Sequence, residues 1–179
     1  MDLREKKTKR SITNAFLQLR SHKPPERITV KELSEAAEIS KATFYLHYKD
    51  IYDLSEQLEK EIIQTIIQDL AHPDDVLTNP VQFLNDLLTS FYAKQNIIAI
   101  LFSGSRANIL PHNLEAGIKE HLFSRHPKLQ EDAAFNIQLT YQIKGSYYAY
   151  MDNKEVFGDT LVVETLNRII RIPNNTECP

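Results

Sequence analysis

The stretch that decides the fold runs from residue 40 to residue 50 and reads Ser-Lys-Ala-Thr-Phe-Tyr-Leu-His-Tyr-Lys-Asp. Serine is a preferred residue at helix N-termini, so Ser40 predicts a short helix over about 41–48. One side of this helix carries Phe44 and Tyr48, which are expected to pack inward together with Ile39. The side chains left on the outside are those of Lys41, Ala42, Thr43, Tyr45, Leu46 and His47.

Three further helices are predicted around this one. Apolar residues at positions 12, 15, 16 and 19 repeat with helical spacing and indicate a first helix over about 4–21. Thr29 and Glu32 have the spacing of a capping box, which predicts a short second helix. Asp50 is expected to cap a long fourth helix that extends to about residue 71. A long helix followed by two short ones predicts a three-helix unit that contains a helix-turn-helix.

The remainder of the chain is also helical in pattern, with segments at about 80–102, 112–125, 128–151 and 155–171. Only four glycines occur, and none lies in the first 103 residues. Phosphate-cradling loops and dinucleotide fingerprints need several glycines in one turn, so both are excluded. We therefore predict an all-α protein with a helix-turn-helix domain at 1–50. The long fourth helix joins it to a second helical domain at 51–179.

Charge is distributed unevenly along the chain. The net charge is −3, yet residues 1–50 hold eleven Lys and Arg against seven Asp and Glu. A basic N-terminal region on an acidic body suits a protein whose N-terminal region approaches a polyanion. The outward lysine, hydroxyls and imidazole of the predicted third helix can reach phosphates or base edges of DNA, and Ala42 can touch a thymine methyl.

Residues 28–33 (ITVKEL) and 36–50 (AAEISKATFYLHYKD) resemble the DNA-binding region of the tetracycline-repressor-like (TetR/AcrR) transcriptional regulators. The resemblance covers about residues 8–55. It implies a homodimeric regulator, usually a repressor, that binds a palindromic operator in double-stranded DNA and is released by a small ligand in its C-terminal domain. The residues it places on DNA are Thr29, Lys31, Lys41, Ala42, Thr43, Tyr45, Leu46, His47 and Lys49. Two positions depart from the family pattern, because Glu38 replaces a turn glycine and Ile51 replaces a lysine.

The C-terminal segments 128–151 and 155–171 are apolar on several sides, which favours burial of several sides. Pairing of these helices across a two-fold axis would form a four-helix interface, as the family resemblance also implies. The residues expected at this interface are Leu139, Gly145, Tyr148, Leu166 and Ile169. The alternative is that both helices belong to the core of a monomer.

A small apolar or aromatic effector is the expected ligand of the middle helices, where apolar residues and a few polar groups could line a pocket. The candidate lining residues are Phe91, Tyr92, Phe102, His112, His121 and Tyr141. The same residues also suit an ordinary core. No cofactor is expected. The spacing of His112, His121 and His126 argues against a metal site, because no two share a helix face.

Two other functions stay open from the sequence. An adaptor or co-regulator of the same fold without DNA binding draws support from Glu38 and Ile51. An all-α enzyme is the more remote alternative, because carboxylates such as Glu59, Glu61 and Asp86 show no nucleophile–base pattern. The lone Cys178 excludes a disulfide framework and is typical of a reducing cytoplasm. No signal peptide or run of about 20 apolar residues is visible, so a cytoplasmic protein without membrane association is expected.

Overall fold

The structure is a computed structural model that describes residues 3–171. Cys178, on which the prediction of a reducing environment rests, lies outside these residues. Within residues 3–171 there are ten α-helices and three short 3-10 helices, and no β-strand occurs. The predicted all-α class is therefore confirmed. None of the described helices is both long and apolar enough to cross a bilayer.

The chain forms two compact units, and the first comprises the residues up to 63 together with 94–110. Its elements are α1 (Leu3–Arg20), a 3-10 helix (Pro25–Arg27), α2 (Val30–Ala36), α3 (Lys41–Tyr45), the beginning of α4 (Ile51–Gln68), α7 (Gln95–Leu101) and a 3-10 helix (Gly104–Ile109). The segment 94–110 thus belongs to the first unit, although the elements before and after it in sequence belong to the second.

The second unit comprises residues 64–93 and those from 111 onward. Besides the end of α4 it contains α5 (Asp75–Thr78), α6 (Pro80–Ala93), α8 (Leu110–Arg125), a 3-10 helix (Pro127–Gln130), α9 (Ala133–Phe157) and α10 (Asp159–Arg171). Helix α10 packs against α9 and α6. A buried cluster contributed by these three helices forms part of the core: Leu84, Tyr150, Val162 and Leu166.

Short-range signals in the sequence explain where the helices of the first unit begin. Helix α1 buries Ile12, Ala15 and Phe16, the residues whose spacing predicted it. Helix α2 begins after Thr29, whose Oγ1 accepts the N–H of Glu32 at 3.2 Å. Helix α4 begins after Asp50, whose Oδ1 accepts the N–H groups of Tyr52 at 2.8 Å and Asp53 at 2.9 Å. Each cap satisfies amide groups that have no partner inside the helix.

The predicted helix ends are less accurate. Helix α3 ends at Tyr45 and continues as a turn, and the predicted segment 80–102 is divided at Lys94, where the backbone takes φ −117° and ψ 9°. Helix α9 extends six residues beyond the predicted end, to Phe157. It stops at Gly158 because this residue has φ 80°, a conformation that glycine adopts without steric cost.

Candidate nucleic-acid interface

Helix α3 is held in place by a cap and by two buried aromatic rings. Ser40 Oγ accepts the N–H of Thr43 at 3.0 Å, as expected of the predicted cap. The ring of Phe44 is completely buried, and its centroid lies 5.7 Å from that of Tyr48. Burial raises the pKa of the Tyr48 hydroxyl, despite a hydrogen bond with Thr13. This side of α3 therefore belongs to the core of the first unit, as its sequence predicts.

The turn between α2 and α3 closes α2 with two hydrogen bonds. The N–H of Ile39 donates to the carbonyl of Ser34 at 2.9 Å, and the N–H of Glu38 donates to that of Glu35 at 3.2 Å. This pair of bonds is a Schellman motif, which requires a left-handed residue between helix and turn. Glu38 occupies that position with φ 57°. The turn thus has the geometry that glycine favours, with a residue for which this geometry is strained.

The opposite side of α3 faces solvent. Lys41 and Ala42 are exposed, as are 56% of Tyr45 and 81% of Leu46. The Tyr45 ring meets the buried Phe44 ring edge-on with centroids 5.5 Å apart, so an internal aromatic contact supports the exposed tyrosine. This surface has a cation, a phenol and two apolar side chains available to an incoming molecule.

Two of the predicted contact residues are less available. Thr43 is half-buried, and its Oγ1 lies 2.8 Å from the Oγ of Ser40, so its hydroxyl already takes part in the cap. His47 is also half-buried, with its ring 6.3 Å from that of Tyr48.

Two lysines, Lys31 and Lys49, flank α3 in the sequence. The Lys31 side chain is 70% exposed, and its Nζ lies 3.9 Å from the equally exposed carboxylate of Glu35, a pairing that contributes little free energy. Lys49 is exposed, and its N–H donates to Asp53 Oδ2 at 2.8 Å. That bond and a second one from Gln57 lower the pKa of Asp53. Ile51, which replaces a lysine of the family pattern, is buried, so this position offers no cation to the surface.

A network of charged side chains inside the first unit was not predicted. Glu59 is completely buried and accepts two bonds from Arg106, from Nε at 2.9 Å and from Nη2 at 2.6 Å. These bonds raise the pKa of Arg106. On α1, the buried Arg20 donates to the carbonyl of Leu101 at 3.1 Å and to Ser103 Oγ at 3.0 Å. Both arginines therefore attach the segment 94–110 to helices α1 and α4.

The carboxylates considered for an enzyme have structural partners. Glu59 is bound by Arg106, and Asp86 accepts a bond from Gln82 at 2.7 Å. Within residues 3–171 no group of three or more His, Cys, Asp or Glu side chains is arranged to hold a metal ion.

The second unit contains an apolar cavity of about 60 Å³ between α6, α8, α9 and α10. Its lining includes Leu84, Leu87 and Phe91 of α6 and Ile143 of α9, with Gln142 and Ser146 as polar groups. A cavity of this volume holds a few water-sized groups.

The six predicted ligand residues are not gathered around that cavity. Phe91 lines it, whereas Tyr92 pairs its hydroxyl with that of Tyr150. Phe102 is buried in the first unit, and 73% of Tyr141 is exposed. His112 is exposed, and the Nε2 of the half-buried His121 is buried without a hydrogen-bond partner among the described residues.

A second unpredicted network centres on Glu115 of α8, which is 7% exposed. Lys119 donates to its Oε1 at 2.6 Å, Lys144 of α9 lies 2.8 Å from its Oε2, and Thr140 of α9 donates to Oε1. Burial opposes ionisation of this carboxyl, but the three hydrogen bonds outweigh it and lower the pKa of Glu115 to about 2. The network joins α8 to α9.

The five residues predicted for a dimer interface fall into two groups. Leu139 and Leu166 are buried within the second unit, where they fill its core and are not available to a second chain. Gly145 is exposed, as are 43% of Tyr148 and half of Ile169. Neighbouring apolar residues of α9 that were not predicted for this interface are exposed as well: Ile137, Tyr141 and Val156. Helical periodicity alone does not show which apolar residues of α9 are exposed and which belong to the core.

Comparison of the chain with descriptions of known protein families, with curated proteins and with solved structures found no match.

Proposed function

We propose that the chain is a DNA-binding transcriptional regulator of the TetR/AcrR type, most simply a repressor, in which α2, the turn and α3 act as a helix-turn-helix. The observation that carries this proposal is the outer side of α3. Ala42, Tyr45 and Leu46 are exposed next to Lys41, while Phe44 fixes the inner side of the same helix in the core. In a helix-turn-helix, the second helix lies in the major groove and presents such side chains to base edges.

The lysines around α3 supply the electrostatic part of the proposed interface. Lys41 and Lys49 are exposed, and Lys31 has only a weak surface partner. We assign Lys31 and Lys49, with Thr29, to phosphates. Lys41, Ala42, Tyr45 and Leu46 are assigned to the groove, where Lys41 can bond to a guanine edge. Thr43 acts chiefly as part of the helix cap, and His47 lies at the edge of the proposed interface.

A homodimer fits this proposal. On α9, Ile137, Tyr141, Gly145 and Tyr148 recur at intervals of three or four residues, and all are exposed. Beyond the neighbouring residues and backbone of its own helix, a Cβ added to Gly145 would meet no described atom within 4 Å, so a second helix backbone has room to come close. Two chains joined through α9 and α10 would present two copies of α3 to a palindrome, as the two-fold symmetry of such operators requires.

The proposed effector is a small apolar molecule held in the cavity of the second unit. Binding would shift the population between a DNA-binding state and one that binds DNA weakly, and linkage requires DNA to weaken the effector equally. Two stretches of chain can carry the coupling, because α4 begins in the first unit and ends in the second, and segment 94–110 directly follows the cavity-lining α6.

The experiment that tests DNA binding is charge reversal at the interface. Fluorescence anisotropy with duplex DNA over a range of salt concentrations compares Lys41→Glu and Lys49→Glu with the unaltered chain. We expect weaker binding for both variants and, for Lys49→Glu, a salt slope reduced by roughly one because a phosphate contact is lost. Lys128→Glu is the matched control, because it makes the same charge change at an exposed site in the second unit.

An adaptor of the same fold predicts a different result. If Lys41→Glu and Lys49→Glu bind duplex DNA as tightly as the Lys128→Glu control, α3 is not the DNA-binding surface and the proposal is wrong. If the unaltered chain binds no duplex at all, the proposal is also wrong and the adaptor interpretation gains support.

A further inference from the structure

The side chain of Leu46 is 81% exposed, more than any other large apolar side chain among the described residues. Leu46 directly follows the last residue of α3. The nearby aromatic residues Phe44 and Tyr48 are, by contrast, buried. Its N–H donates to the carbonyl of Ala42 at 3.2 Å, which is the hydrogen bond of one complete helical turn. Ala42 and Leu46 therefore lie one above the other on the same face, and both are exposed.

The two residues form a narrow apolar strip in polar surroundings. Lys41 precedes the strip, Lys49 follows it three residues later, and Tyr45 contributes a hydroxyl within the same turn. Both lysines are exposed. The molecule that covers this strip must therefore offer a small apolar group set among negative charges. The major groove of DNA has this combination where thymine methyl groups project between the phosphate backbones.

We infer that the Ala42–Leu46 strip reads thymine methyl groups, so that each half-site of the operator contains thymine opposite these two residues. The inference rests on the proposed function. It adds a basis for sequence preference, because lysine contacts to phosphates contribute affinity for any sequence whereas an apolar contact to a methyl group distinguishes thymine from the other bases.

The test begins with a duplex selected for tight binding from a random pool. Each thymine of that duplex is replaced in turn by deoxyuridine, which keeps the base pair and all of its hydrogen-bonding groups and removes only the methyl group. Burial of one such group changes an affinity by about fourfold. We therefore expect at least one position in each half-site where the replacement weakens binding of the unaltered chain by about fourfold.

The variant Leu46→Ala shows whether this residue is responsible. At one sensitive position in each half-site, the one opposite Leu46, Leu46→Ala is expected to bind the thymine and deoxyuridine duplexes with the same affinity, while a position opposite Ala42 keeps its preference. Leu77→Ala is the matched control, since it makes the same truncation at an exposed leucine of the second unit and should keep the fourfold preference.

Two results would overturn the inference and leave DNA binding intact. The first is a specifically bound duplex in which no deoxyuridine replacement changes the affinity. The second is a Leu46→Ala variant that retains the full preference for thymine at every sensitive position. If no duplex is enriched at all, the inference and the proposed function fail together.

Discussion

Replacing Arg106 by methionine should destabilise the first unit strongly. The carboxylate of Glu59 is completely buried, and both of its oxygens accept bonds from the Arg106 guanidinium. Methionine keeps much of the side-chain length but supplies no donor. Among residues 3–171, the variant Arg106→Met would leave the buried negative charge with the Ser55 hydroxyl, 2.9 Å from Oε1, as its one remaining side-chain partner.

The expected magnitude follows from the burial of the pair. Removing one partner of a buried ion pair costs about 3–5 kcal/mol of the free energy of unfolding. The whole free energy of unfolding of a natural domain is only about 5–15 kcal/mol. With a urea dependence of roughly 2 kcal/mol per M, the midpoint of unfolding should fall by at least about 1.5 M.

Urea unfolding followed by circular dichroism at 222 nm measures this shift. Arg125→Met is the matched control, because Arg125 forms an exposed pair with Asp74, 3.2 Å apart, that should contribute less than about 1 kcal/mol. The double variant Glu59→Met with Arg106→Met should recover most of the lost stability, since it leaves no unpaired buried charge. The reasoning is refuted if Arg106→Met and Arg125→Met lower the midpoint equally.

Three further predictions concern other parts of the chain. Glu38→Gly should raise the free energy of unfolding by about 1 kcal/mol, because it relieves the positive φ of the turn; a lower urea midpoint than that of the unaltered chain would contradict this. The Glu115 carboxyl has a pKa of about 2 in the folded chain against an ordinary 4.5, so its contribution is complete above pH 4.5 and disappears toward pH 2. Glu115→Gln should therefore lose less stability between pH 5 and pH 3 than the unaltered chain, and equal losses would contradict the assignment. Tyr141→Glu places a charge on the exposed side of α9 and should reduce the mass measured by light scattering from two chains to one, whereas an unchanged mass would exclude this surface from the dimer.

The parts of the fold that could be predicted depend on neighbours in sequence. Thr29, Ser40 and Asp50 each cap a helix through an amide two or three residues away, so the spacing of the residues is sufficient to predict the cap. The inward position of Phe44 follows from helical periodicity in the same way. The exposure of Lys41, Ala42, Tyr45 and Leu46 could be predicted for the same reason. Thr43 and His47, which were predicted on the same side, are half-buried.

The parts that could not be predicted depend on residues far apart in the chain. Arg20 donates to the carbonyl of Leu101, 81 residues away in the sequence, and Arg106 donates to Glu59, 47 residues away. No local sequence pattern predicts either hydrogen bond. For the same reason nothing in the sequence assigned segment 94–110 to the first unit. Periodicity shows which side of a helix is apolar but not what covers it, which is why only Phe91 of the proposed ligand residues lines the cavity.

The account depends most directly on α3 entering DNA in symmetric pairs, and selection of bound duplexes from a random pool tests this. We predict enrichment of an inverted repeat whose half-sites are centred about one helical turn apart, roughly 34–36 Å, with two chains bound to each duplex. Enrichment of no sequence, or of an unsymmetrical site occupied by one chain, would contradict the account.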